Sequence, residues 1–141
     1  ISNVINFEKK LKLSDEITFK NFISVINQSK KHLNNFLKRI NKQGKKVHGY
    51  GASTKGNVLL QYYKINNKMV EYVAERNNKK YNLYTPGSNI KIISEALSRF
   101  YKPDFYLVLP WHFKNEILAR ERLMRKKGTK FIFPLPKLKI V

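Results

Sequence analysis

From Gly44 onward the chain alternates between strand-like and helix-like runs, and that alternation limits the folds open to it. Val47–Tyr50, Lys68–Ala74, Ile90–Ile93, Phe105–Leu109 and Lys130–Phe133 read as strands. Between them, Lys55–Tyr63, Ser94–Phe100 and Lys114–Lys127 read as helices, the last stopped by Gly128. Pro134-Leu135-Pro136 ends the final strand, and Pro86-Gly87 marks a type II-like turn. Repeated strand-then-helix units predict an α/β fold, with a mostly parallel sheet and helices on both faces. Ligands of such sheets sit at the carboxyl ends of the strands. The turns at Gly49–Gly56, Glu75 and Trp111 all fall at those ends, where they can line one crevice.

The segment before Gly44 has a different pattern. Ser14 reads as an N-cap, with Asp15 and Glu16 in a first turn where acids complement the helix dipole. Phe19, Phe22, Ile23, Ile26, Leu33, Phe36, Leu37 and Ile40 then recur three or four apart. One long amphipathic helix, Asp15–Gln43, is predicted, its apolar stripe facing the domain or a missing neighbour. His32 and Asn34-Asn35 fall on its polar side and carry no signal. Residues 1–13 are poorly patterned, and Glu8–Lys12 reads as a connector. The expected division is therefore 1–44, connector and helix, and 45–141, the α/β domain.

At 141 residues the chain suits one domain with its own core. It has no cysteine, which excludes disulfides, thiolate zinc sites and a cysteine nucleophile. That fits a reducing compartment, and a cytoplasmic location is expected. No apolar run approaches the roughly 20 residues that span a bilayer, so no membrane partner is expected. The N-terminus lacks the layout of a signal peptide, and the chain begins at Ile1, as a piece of a longer protein would.

The formal net charge is +20, which by itself points to nucleic acid. Only six basic residues are arginine and 23 are lysine. Asn, Ile, Tyr and Phe are also abundant, the pattern an AT-rich gene produces. Direct readers of nucleic acid favour arginine, whose planar fork grips phosphates and guanine edges. A nucleic-acid module, bound with steep salt dependence, is therefore the lesser alternative.

Lys45–Asn57 is the stretch that most suggests a ligand. A short strand runs into glycines and small polar residues, and a helix follows at once. A helix N-terminus offers unpaired amides and the positive end of the dipole, so it favours an anion. Tyr50, Gly51, Ser53, Lys55, Gly56 and Asn57 are the candidates, with Lys55 suited to a diphosphate. Glycines 49, 51 and 56 miss the Gly-x-Gly-x-x-Gly spacing, because Thr54 stands where the third glycine belongs. The ATPase phosphate loop is missed too, since Asn57-Val58 follows Gly56 in place of Lys-Ser/Thr. A tight turn in an ordinary α/β domain would look the same.

Glu75 ends the second strand, where an acid in nucleotide-binding α/β folds can accept a ribose hydroxyl. Trp111 and Phe113 suit a stacking wall, or else plug the sheet end. His112 has no second histidine or acid at metal spacing, so it is not taken as a catalyst.

Gly49-Tyr50-Gly51-Ala52-Ser53-Thr54-Lys55-Gly56-Asn57 resembles the opening motif of the C-terminal domain of sugar-nucleotide C-methyltransferases. Tyr72-Val73-Ala74-Glu75-Arg76-Asn77 is similar to that family's second-strand motif, with Glu75 where Asp is expected. Leu83-Tyr84-Thr85-Pro86-Gly87 resembles its Pro-Gly turn. Leu109–Glu116 and Gly128–Pro136 resemble its last two blocks. The resemblance covers about residues 45–141 and adds Tyr84, Thr85, Pro86, Gly87, Trp111, His112 and Phe113 to the expected substrate crevice.

That resemblance implies a Rossmann-like domain that helps hold a nucleoside diphosphate sugar. Family enzymes also have a zinc-binding part with cysteines and a middle domain that binds S-adenosylmethionine and carries the base. The base removes a proton beside a ketone on a deoxysugar, and the enolate takes the sulfonium methyl group. With no cysteine and no cofactor fingerprint, this chain is expected to hold no cofactor and no catalytic residue, and not to methylate alone. S-adenosylmethionine is expected on an upstream domain, which would be its partner. A docking domain that acts only through the long helix is the remaining alternative.

Overall fold

The structure, a computed structural model, describes residues 2–141. Two helices come first, α1 (Ser2–Lys10) and α2 (Glu16–Lys42). Then follow β1 (Val47–Tyr50), α3 (Thr54–Tyr63), β2 (Tyr72–Glu75), β3 (Lys91–Ser94), α4 (Glu95–Phe100) and β4 (Phe105–Val108). The chain ends with α5 (Lys114–Arg120), α6 (Arg122–Lys126), β5 (Lys130–Phe133) and β6 (Lys139–Ile140). The six strands form one sheet in the order β3-β2-β1-β4-β5-β6, parallel except where β6 runs against β5. The predicted α/β architecture is present, with the long helix ahead of it.

Alternation along the strands divides the core between two faces. Val47, Val73, Leu107 and Ile132 pack on one side with Leu33, Leu37 and Ile40 of α2 and Leu59 and Leu60 of α3. Tyr50, Tyr106, Val108, Phe131 and Phe133 pack on the other with Ile117 of α5 and Met124 of α6. α2 is therefore part of the core over its second half only. Asn34 and Asn41 fasten that half, donating to the carbonyls of Tyr63 and Met69 at 2.8 and 3.1 Å. Asn34 thus has a structural task that its place on the helix wheel did not reveal.

Several boundaries differ from the sequence expectation. The connector at Glu8–Lys12 is helical as far as Lys10, and a turn with positive φ at Lys12 joins α1 to α2. Ser14 lies in that turn, so the N-cap of α2 is Asp15, which makes no side-chain cap bond. The second strand begins at Tyr72, because Asn66 organises residues 66–70 as a turn. Its carbonyl accepts from the amides of Met69 and Val70, and its side chain from that of Lys68. The expected helix over Lys114–Lys127 breaks at Glu121, whose backbone leaves the helical region (φ −95°, ψ 24°). β6 follows the proline stop, with Phe131 and Val141 exchanging backbone hydrogen bonds.

Candidate functional site

β1 is where the strand order reverses. Its successor in the chain, β2, lies on one side, and β4 lies on the other. Such a switch point leaves a crevice at the carboxyl ends, because the two following loops depart toward opposite faces. Here the crevice has a volume of about 350 Å³. Gly51, Ala52 and Ser53 line it after β1, Glu75 and Arg76 after β2, and Pro110 and Phe113 after β4. Tyr50 and Arg120 form its wall on the α5 side.

Two glycines shape the first of these turns. Gly51 has φ +80°, and a Cβ on it would come within 2.8 Å of the Pro110 ring. The absence of that atom lets the loops after β1 and β4 meet. Gly56 sits in the first turn of α3, where a Cβ would lie 2.4 Å from Cβ of Leu109. Its part is to seat α3 against the sheet, and it does not line the crevice.

The amides of the turn divide into two groups. Ala52 donates to Glu75 at 2.8 Å, and Gly56 donates to Oγ of Ser53 at 3.1 Å, which caps α3. The amides of Thr54 and Lys55 have no partner among the described residues. Glu75 is occupied by the protein itself, since its other oxygen accepts from the amides of Arg76 and Asn77 at 2.9 and 3.0 Å. Lys80 completes the floor, donating to the carbonyl of Ala52 at 2.9 Å.

A closed ring of charged groups stands behind Tyr50. The Tyr50 hydroxyl donates to Glu121 at 2.8 Å and accepts from Nε and Nη2 of Arg120 at 3.0 and 2.7 Å. Arg120 also donates to Glu95 at 3.0 Å, Arg99 donates to Glu95 at 2.8 Å, and Arg99 bonds Glu121 through both Nε and Nη2. Glu121 is fully buried. Burial alone would raise its pKa, but the bonds from Arg99 and Tyr50 outweigh that and hold it below the usual carboxylate range. Burial, reinforced by the Glu121 bond, pushes the Tyr50 hydroxyl far above its ordinary value, so it stays protonated. Sequence reasoning missed this ring. Glu95 and Arg99 look like an ordinary helix-surface pair, and Glu121 lies in a run of basic residues.

The other sequence candidates lie elsewhere. Lys55 and Trp111 line a second groove, of about 360 Å³, on the α2–α3 face with Ile26, Val58, Tyr62 and Leu135. That groove is almost wholly apolar in its lining. Asn57 is half-buried, with a buried Oδ1 that has no partner among the described residues. Tyr84, Thr85, Pro86 and Gly87 form a separate turn beside β3. Thr85 is buried and bonded to Ser88 at 2.7 Å, the Pro86 carbonyl accepts from Gln61 at 3.0 Å, and Tyr84 bridges to Lys91. His112 is exposed on the short helical turn at residues 111–113, against the ring of Phe113. Of the fourteen expected site residues, the crevice brings together Tyr50, Gly51, Ser53, Glu75 and Phe113. No group of three or more metal-ligating side chains occurs among the described residues. No helix among them is long and apolar enough to cross a membrane.

Comparison with known proteins identifies the family. The chain is 26% identical over all 141 of its residues to the C-methyltransferase NovU of Streptomyces niveus, and spans 34% of that protein's length. A family model described as C-methyltransferase C-terminal domain matches residues 1–136, so that α1 and α2 fall within the match. The chain belongs to the family of C-methyltransferase C-terminal domains.

Proposed function

We propose that this chain is the part of a C-methyltransferase that holds a nucleoside diphosphate sugar for a methyl-transferring domain. The crevice at the switch point carries the reading. It is open, lies at the carboxyl ends of β1, β2 and β4, and is floored by a glycine turn that runs into a helix N-terminus. A diphosphate suits the amides and cations of such a place, and a sugar suits the carboxylate and aromatic groups around them. Among the chain's own residues none is assigned as a base, and their work is to bind and orient. S-adenosylmethionine would supply the methyl group from an upstream domain, in keeping with the threefold greater length of the relative.

A second observation supports an upstream neighbour. Val4, Phe7, Ile17, Phe19 and Phe22 of α1 and the first half of α2 are all more than half exposed. An apolar strip of that length is characteristic of an interface.

Calorimetry with UDP- and dTDP-sugars tests the reading, using this chain and the full-length protein that contains it. Saturable binding that Ser53→Trp abolishes is expected, because the indole would fill the crevice. Absence of binding by both proteins would overturn the proposal.

A further inference from the structure

The sequence points to Lys55 as the cation for a diphosphate, yet Lys55 lies over the apolar groove and not in the crevice. The cations that line the crevice are Arg76, Lys80 and Arg120. Lys80 is tied to the Ala52 carbonyl and lies 3.8 Å from Glu75. Arg120 differs from both, because its orientation is fixed on one edge only. Its Nε and Nη2 are held by the Tyr50 hydroxyl and Glu95, while Nη1 has no partner among the described residues. Its side chain remains 38% exposed.

We propose that Arg120 is the anion anchor of the crevice, gripping the diphosphate of the nucleotide-sugar with the Nη1 edge of its guanidinium. This rests on the nucleotide-sugar reading above. The physical case is one of preorganisation. A surface arginine must give up much rotamer freedom to hold a phosphate, whereas Arg120 is already held in place by three hydrogen bonds. The Tyr50 hydroxyl can hold it because burial and Glu121 keep that hydroxyl protonated and direct its proton away from the guanidinium. Glu95 takes one bond from each of Arg120 and Arg99, so it fixes the Nη2 side of the Arg120 fork and leaves Nη1 unbonded among the described residues. Glu116, exposed on the same wall, suits sugar hydroxyls and disfavours phosphate at its own end of the crevice.

The test uses this chain, whose sheet has a continuous core on each face, with inorganic pyrophosphate, UDP, dTDP and the free nucleosides as calorimetric probes. Arg120→Lys keeps the charge but loses the fork. It is expected to weaken the diphosphates about tenfold or more while leaving nucleoside binding unchanged. Arg120→Gln should weaken them further, and Lys102→Gln, on a remote loop, should have no effect. Circular dichroism and thermal melting of each variant separate lost binding from lost fold. If Arg120→Lys binds diphosphates as the wild type does, or if Lys55→Ala alone abolishes binding, the assignment of Arg120 falls and the crevice reading stands. If the wild type and the full-length protein bind no probe and no nucleotide-sugar, both fall together.

Discussion

The carboxylate of Glu75 accepts a hydrogen bond from the amide of Ala52 at 2.8 Å, so the end of β2 fastens the turn that follows β1. The longer side chain explains why glutamate serves here. It spans the gap between neighbouring strands while its second oxygen closes the turn at Arg76 and Asn77. Glu75→Ala would leave three amides without their acceptor. A loss of about 1–3 kcal/mol is expected in urea unfolding at neutral pH, and Glu75→Gln, which keeps one acceptor oxygen, should lose less.

Gly56→Ala should destabilise through packing alone. The new Cβ would lie 2.4 Å from Cβ of Leu109, which cannot move without its backbone, and 2.9 Å from the hydroxyl of Ser53, which could turn away only by giving up its cap bond. The expected cost is about 1–3 kcal/mol, read as a lower melting temperature. Val58→Ala, on the exposed side of the same helix, should leave the melting temperature nearly unchanged.

His48 makes stability depend on pH. Its ring is buried in β1, with Nδ1 2.8 Å from Oγ of Ser98, itself bonded to the Tyr106 hydroxyl, and Nε2 3.6 Å from the half-exposed Glu71. Burial, with the charge of Lys46 acting in the same direction, pushes its pKa down from 6.5 to about 4. Between those values the unfolded chain binds a proton that the folded chain refuses. Stability is therefore complete above the unfolded pKa and falls as the pH drops from 6.5 toward 4, by up to about 3 kcal/mol. Denaturation curves at pH 7 and pH 4.5 should show this slope in the wild type, and His48→Gln should flatten it.

The apolar strip on α1 and α2 should make the isolated chain associate. Replacing Phe19 and Phe22 with serine should shift it toward monomer in light scattering and leave its circular dichroism unchanged, since both side chains are exposed in the single chain. The same replacements should weaken binding to the upstream part of the protein, and unchanged binding would place that contact elsewhere.

Much of the fold is legible because its signals are local. Gly44, Gly128 and Pro134 punctuate the chain, and the apolar strand of Phe105–Val108 is visible without help from distant residues. Ser14 failed as a cap because α1 ends close before it, a neighbour effect that no propensity reports. The crevice was legible through Gly51, Ser53 and Glu75, which lie at strand ends. Arg120 and Glu121 were not, because their meaning depends on contacts with Tyr50, about seventy residues away in the chain. The position of the Lys55 side chain was hidden for a related reason. Chain position puts it at the glycine turn after β1, whereas the helical screw carries its side chain round to the α2 face.

Both margins of the sheet are short. On one side residues 82–84 lie along β3, with hydrogen bonds from Asn82 to Ile92 and from Ile92 to Leu83. On the other, the short β6 ends in Lys139, Ile140 and Val141. A two-residue edge strand that carries Lys139 is a poor ladder for a visiting strand, which disfavours fibre-like stacking of copies edge to edge. That favours recruitment over a helical face or down into the mouth of the sheet.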